Sequence, residues 1–267
     1  MKRVYLLSVL FICSFTINAQ LNPVLKSKRG LVILPEKGDY SFGISANPFI
    51  DYLGNFIKGA NSPSVDYLSN QSFYGKYMVS DKKAIRGSFR FGVNTSSQTI
   101  IVKDLGLNAT IDGKVENKIN VSSFDLQLGL GVEHRRGDSR LQGIYGYEGF
   151  LIYNSGNLTK NKFGNELKNE AANLQRTTSI NIGNSLTLGA RVFAGAELFL
   201  APKFSLGFEL GFGPRLTFRS SSYTETEIYD VILLENVSTK TQTSNRTTSF
   251  SLDTDYINSQ LRLNFFF

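Results

Sequence analysis

Phe204-Ser205-Leu206-Gly207-Phe208-Glu209-Leu210-Gly211-Phe212-Gly213 puts a large apolar side chain at every even position and a small or charged one at every odd position. Successive side chains of a strand point to opposite faces, so this period of two marks a strand with one oily face and one small, polar face. Leu216 and Phe218 continue the oily face. The preceding stretch repeats the pattern through Leu186, Leu188, Ala190, Val192, Ala194, Ala196, Leu198 and Leu200. Phe124, Leu126, Leu128, Leu130 and Val132 do the same earlier in the chain. At ~3.3 Å per residue, a strand of about 15 residues is ~50 Å long, roughly twice the ordinary soluble length. Tilted by ~40°, such a strand crosses a bilayer with residues to spare.

Eight segments of this kind fit the chain, at 39–53, 71–79, 84–94, 121–134, 140–153, 184–200, 203–219 and 246–267. Short turns at Ser80–Lys83, Arg135–Ser139 and Ala201–Lys203 alternate with longer connections at 54–70, 95–120, 154–183 and 220–245. Short turns on one side, long loops on the other and an even strand count describe a closed antiparallel transmembrane barrel whose short turns face the periplasm. The expected fold is therefore all-β, an eight-stranded transmembrane β-barrel over 39–267.

Four places vary the pattern. Pro48 interrupts the first segment, and Phe49, Leu53 and Phe56 fit helical spacing, so a short interfacial helix after a shorter first strand is the alternative there. Ile111-Asp112-Gly113-Lys114 reads as a type I′ hairpin turn, because Asp-Gly tolerates positive φ. Its flanks, Thr99–Thr110 and Val115–Val121, carry enough Ile, Val and Thr to continue as strands, as do residues 223–244. Leu167, Ala171 and Leu174 share one helical face within 165–175, and Pro214 breaks the stretch 203–219, as a bulge or a lateral opening.

Alternation alone also fits a secreted barrel wrapped around a greasy ligand. The second face separates the two readings. A water-exposed face would be rich in Lys, Glu and Thr, yet this one holds Gly129, Gly131, Gly189, Gly195, Gly207, Gly211 and Gly213. Small residues suit the crowded interior of an eight-stranded barrel, which its own side chains fill. Among the glycines fall Lys76, Arg86, Arg90, Arg191, Arg215 and Arg262, and the acids Asp125, Glu133, Glu148, Glu197 and Glu209. Opposite charges in a narrow interior pair, whereas isolated ones are costly. Distances from the turns predict Arg86–Glu133, Arg191–Glu148 and Glu209–Arg262 as neighbours, in a charge network that plugs the interior.

Residues 1–19 read as a signal peptide: Lys2 and Arg3, an apolar stretch from Val4 to Ile17, then Ala19 at the cleavage position. Residues 20–38, with Lys26, Lys28 and Arg29, read as a periplasmic lead-in. Cys13, the single cysteine of the 267 residues, falls in the leader, so disulfides, thiolate catalysis and cysteine metal sites are excluded from the expected mature chain. The formal charge of +7 becomes +5 without Lys2 and Arg3. That excess is modest and dispersed, with no basic helix or basic-aromatic groove, so nucleic acid is not an expected partner.

The residues also lack a recognisable reaction centre. His134 is the single histidine, beside Arg135 and Arg136 at a short turn. Without a nucleophile–base pair, no enzyme is expected, and one histidine without cysteine makes a transition-metal site improbable. Asp253 and Asp255 lie two apart but lack the glycine and closing Glu of a calcium loop. Gly129-Leu130-Gly131 is followed by no Lys-Ser/Thr, as a phosphate loop would require. No cofactor is expected.

Taken together, the Asn18-Ala19-Gln20 junction, the strand–turn–strand run Gly75-Lys76-Tyr77-Met78-Val79-Ser80-Asp81-Lys82-Lys83-Ala84-Ile85-Arg86 and the terminal Phe267 resemble small outer-membrane β-barrels of the OmpA/OmpX type, in particular porin-family or PorT-like domains. The resemblance covers nearly the whole expected mature chain and implies a bacterial outer-membrane location among lipid and lipopolysaccharide. It also implies that Leu261, Leu263, Phe265 and Phe267 are read by the barrel-assembly machinery. Against the full OmpA plan, the expectation is a barrel without a peptidoglycan-binding domain after it, and so no cell-wall tether. Two functions remain open: a structural or surface-interaction barrel whose extended hairpins at 99–120 and 223–245 meet a protein partner, and a transport barrel for small solutes. An accessory role in a secretion system rests on the PorT-like resemblance alone.

Overall fold

The computed structural model describes residues 24–46, 72–106, 110–167, 175–230, 232–254 and 261–267. Thirteen strands follow one another: β1 (Tyr40–Ser45), β2 (Phe73–Ser80), β3 (Lys83–Lys103), β4 (Lys114–Arg136), β5 (Leu141–Asn154), β6 (Leu158–Lys162), β7 (Gln175–Asn181), β8 (Ser185–Ala201), β9 (Phe204–Arg219), β10 (Ser222–Asp230), β11 (Glu235–Ser244), β12 (Thr247–Thr254) and β13 (Leu261–Phe266). Every pairing is antiparallel, and no α-helix occurs among the described residues. A ring closes through eight strands, β1–β2–β3–β4–β5–β8–β9–β13 and back to β1.

The strand count exceeds the expected eight because four long paths bend. β5 runs into β6, β7 into β8, β9 into β10, and β11 into β12, with breaks at 155–157, 182–184, 220–221 and 245–246. Neighbours stay neighbours across the breaks: β5 pairs β8 below and β6 pairs β7 above, while β8 pairs β9 below and β7 pairs β10 above. Main-chain bonds bridge the bends, from Ile182 N to Asn157 O (3.1 Å) and from Ser220 N to Asn184 O (2.9 Å). These four joins reduce thirteen elements to nine, and β12 and β13 lie one after the other along the same neighbour, β9, which leaves eight paths around the ring. The wall continues above the bends in the order β3–β4–β6–β7–β10–β11.

This wall corrects the expected loop at 154–183, which carries two strands. Its residues, Leu158-Thr159-Lys160-Asn161-Lys162 and Gln175-Arg176-Thr177-Thr178-Ser179-Ile180-Asn181, lack the oily alternation because neither face meets an apolar environment. Polar strands pair by main-chain bonds alone, and periodicity does not reveal them. The hairpins expected over 99–121 and 223–246 are present as β3–β4 and β10–β11.

Three local expectations change. The β3–β4 ladder ends at Lys103 paired with Lys114, and neither Asp112 nor Gly113 has positive φ. The turn is closed instead by Gly113 N on Thr110 O (2.9 Å), so the type I′ assignment is wrong. Pro214 makes no bulge: β8 and β9 keep the same register on both sides of it, and the ladder skips only Gly213 and Pro214, the second of which lacks an N–H. The structure starts the turn after β4 at Gly137, so Arg135 belongs to the strand. The leader, the stretch after β1 at 47–71, Asp255 and most of the proposed helix at 165–175 lie outside the described residues.

Burial is inverted relative to a water-soluble protein. Large apolar residues on the outer face are exposed, with Leu130 at 73% and Val192 at 59%, while Glu133, Glu197 and Glu209 inside are at most 1% exposed. The apolar core is a small cluster at the short-turn end, made by Ile33, Met78, Ala84, Phe199 and Phe266 with Leu25 and Leu34 against it. Residues 24–39 build that cluster by folding across the end of the ring. Lys26 bridges Val32, Lys203 N donates to Ile33 O (3.0 Å), Gly38 N to Met78 O (2.8 Å) and Lys37 N to Asp81 Oδ1 (2.8 Å). The chain end is locked beside it, Tyr40 and Phe267 exchanging main-chain bonds of 3.0 and 2.9 Å.

Ile33→Ala removes the central side chain of this cap. We expect a loss of about 2–4 kcal/mol, the usual range for deleting a buried Ile. Hydrogen exchange should accelerate at the Lys203 amide, which the cap holds, and leave the mid-ring Gly195 amide unchanged. Equal acceleration at both would show that the cap is not a local unit.

Candidate functional site

Inside the ring, strand register builds a two-layer charge cluster. In the layer nearer the short turns, Lys76 Nζ lies 2.9 Å from Glu133 and 3.4 Å from Glu197. Arg135 Nη2 lies 3.0 Å from Glu133 and also pairs with Glu197, while its Nη1 donates to Gln142 Oε1 (3.0 Å). Glu197 is completed by Ser205 Oγ at 2.6 Å and Asn264 Nδ2 at 2.7 Å, both donating to Oε1.

The second layer centres on Glu209, which accepts from three guanidinium groups. Arg86 Nη1 and Nη2 reach it at 2.9 and 3.1 Å, Arg191 Nη2 at 2.6 Å, and Arg262 Nη1 and Nη2 at 2.9 and 2.7 Å. Arg86 Nε also meets Glu148 at 3.0 Å, and its Nη1 lies 3.6 Å from Glu133, which joins the layers. Arg191 approaches Glu148 at 3.7 Å. Aromatic faces cover the remaining guanidinium surface: Phe193 lies 4.1 Å from Arg86 and Tyr74 3.9 Å from Arg262.

Glycine makes the meeting across strands feasible. Gly131 stands directly between Arg86 on β3 and Glu148 on β5, and Gly207 between Glu197 on β8 and Arg262 on β13. A side chain at Gly131 would crowd the path by which Arg86 reaches Glu148, since a Cβ there would lie 2.9 Å from Glu148 Cα, whereas at Gly207 there is room for one. The cluster holds five cations and four carboxylates, a formal excess of one positive charge. Each carboxylate has at least two cationic neighbours, so none is left to act as a free base or metal ligand. Such networks act as units, since removing one member strands the rest in a low-dielectric interior.

The structure brings together Lys76, Arg86, Glu133, Glu148, Arg191, Glu197, Glu209 and Arg262, including the three neighbours named from the sequence. It does not bring in the rest. Arg215 is about half exposed and pairs with Asp253 on β12 (3.2 Å). Asp125 accepts from Asn154, and Arg90 is half-buried higher on β3. Sequence reasoning missed Arg135, Gln142, Ser205 and Asn264. Arg135 shares parity with Glu133, two residues away, so the signal was present but was masked by assigning it to the turn. His134 has the opposite parity: it stacks on Tyr145 (ring centroids 5.4 Å apart) on the outer face, away from the cluster. Among the described residues no group of three or more His, Cys, Asp or Glu side chains is arranged to hold a metal.

No family model matches the chain, and no curated protein matches it either.

Proposed function

We propose that this chain is a bacterial outer-membrane β-barrel of the small OmpA/OmpX type, with a filled interior and a non-enzymatic structural or surface-interaction role carried by the wall above its bends. The inverted burial carries this reading, because exposed Leu, Val and Phe around a buried charge cluster suit hydrocarbon outside and not water. Aromatic contacts at two levels support it. Tyr40–Tyr77 (4.9 Å) and His134–Tyr145 lie near the short turns; Phe91–Phe124 (5.5 Å) and Phe124–Tyr153 (6.0 Å) lie at the bends. Phe124 and His134 are ten residues apart on β4. That is ~33 Å of strand, or ~25 Å along the membrane normal at a tilt of ~40°, the height of an outer-membrane apolar band.

The cap of residues 24–39 and the two charge layers support a closed interior in place of a transport route. The polar, two-faced strands above the bends favour contact with other molecules, and β11 leaves one edge without a partner strand among the described residues. Reconstituted into planar bilayers, the protein is expected to insert and to give no steady single-channel steps. Steps of reproducible size would overturn the filled-interior reading and favour transport; failure to float with lipid vesicles would overturn the membrane reading itself.

A further inference from the structure

Where β8 and β9 reach the bends, an open notch of about 270 Å³ sits at the upper margin of the apolar outer face. It is lined by Leu186, Phe218, Tyr153 and Asn184 and by two arginines, Arg219 at the end of β9 and Arg246 between β11 and β12. We propose that this notch binds the phosphate headgroup of a net-anionic amphipathic lipid, with the acyl chain lying down over Leu186 and Phe218. The inference rests on the outer face being lipid-facing.

Three observations carry it. First, Arg219 at the end of β9 and Arg246 in the break between β11 and β12 line one cavity, and neither has a carboxylate within ion-pair distance among the described residues. Arginine that is not neutralised by its own protein, placed in pairs, offers bidentate donors to phosphate oxygens. Second, the rim is built before any ligand arrives. Asn184 N donates to Ser220 Oγ (2.9 Å), Ser220 N to Asn184 O (2.9 Å), and Asn184 Nδ2 to Tyr153 Oη (3.4 Å). Gly183 has φ of +69° and passes so close to Ser220 that a Cβ would lie 2.7 Å from its carbonyl oxygen. Third, charge stands above and hydrocarbon surface below: Leu186 and Phe218 pair across the β8–β9 ladder, and Leu188 and Leu216 continue the same face. Free phosphate needs only the arginines; a surface that is cationic at one end and oily at the other fits an amphipath.

The test uses the full chain in nanodiscs of zwitterionic phosphatidylcholine, with or without phosphatidic acid as the net-anionic probe. Lipid retained after gentle extraction is read by native mass spectrometry. Wild type should retain phosphatidic acid over phosphatidylcholine, and the double variant Arg219→Gln/Arg246→Gln should lose that preference by at least about tenfold. Both residues are exposed and outside the buried cluster, so folding should persist, checked by gel mobility before and after heating. Unchanged preference in a folded double variant overturns the proposal. So does displacement by millimolar inorganic phosphate, which would mark a phosphate site without a lipid role. Insertion into phosphatidylcholine discs without any preference defeats this inference alone, whereas failure to insert defeats the membrane reading beneath it.

Discussion

Glu209→Gln should destabilise the folded protein by about 3–5 kcal/mol, the range found when one partner of a buried ion network is removed. The carboxylate is 1% exposed and serves Arg86, Arg191 and Arg262 at 2.6–3.1 Å. A neutral amide keeps the volume but accepts through one oxygen, and it turns a formal excess of one positive charge into two. Arg86 retains Glu148 and Glu133 and Arg191 retains Glu148, while Arg262 gives up both of its bonds to Glu209. The measurement is the urea midpoint of unfolding from lipid vesicles. Asp253→Asn is the matched control, because its pair with Arg215 is about half exposed and should contribute no more than about 1 kcal/mol. Adding Arg262→Met to Glu209→Gln should recover part of the loss, since the two side chains are directly coupled. Equal effects of Glu209→Gln and Asp253→Asn would show that the interior is wet enough to screen its charges.

The period of two in Phe204–Gly213 and its counterparts was enough to assign faces, because parity is a property of the strand and survives any error in its ends. Parity also put Arg86, Glu148, Arg191, Glu209 and Arg262 on one side, and turn positions fixed which of them would meet. What stayed illegible lacked an apolar pattern. β6 and β7 pair through their backbones with polar side chains on both faces, so nothing in Leu158–Lys162 or Gln175–Asn181 distinguishes wall from loop. The cap was hidden for another reason: Leu31-Val32-Ile33-Leu34 is an unbroken apolar run with no period of two, and the burial of Ile33 depends on Met78, Phe199 and Phe266, far away in sequence. Arg215 was misplaced because parity gives the face but not the height; near the top of β9 the inward face opens and Asp253 of β12 becomes its partner.

Height and approach also separate the inward glycines, and this leads to the second large effect. Gly195→Ala is expected to prevent normal closure, with a loss above about 4 kcal/mol, whereas Gly207→Ala should stay within about 1 kcal/mol of the wild type. Both glycines face the same charge cluster, so an argument from composition would treat them alike. Their surroundings differ. A Cβ on Gly195 would overlap the Phe208 carbonyl oxygen and stand 2.7 Å from Glu209 Cα, and both are main-chain atoms of the adjoining strand. A Cβ on Gly207 would meet nothing nearer than the Asn264 amide nitrogen at 3.6 Å, an ordinary contact. Side chains can rotate away, but a backbone can yield only by moving β8 from β9. Gly195 is paired directly with Glu209, so that movement also pulls the carboxylate from its three arginines. The alanine therefore damages ladder and cluster together, while Ala194→Ser, an exposed position next to it, should be nearly silent. Heat-modifiable gel mobility and the urea midpoint would read all three variants. If Gly195→Ala closes and unfolds like Gly207→Ala, the tight β8–β9 approach is not what sets the diameter of the ring.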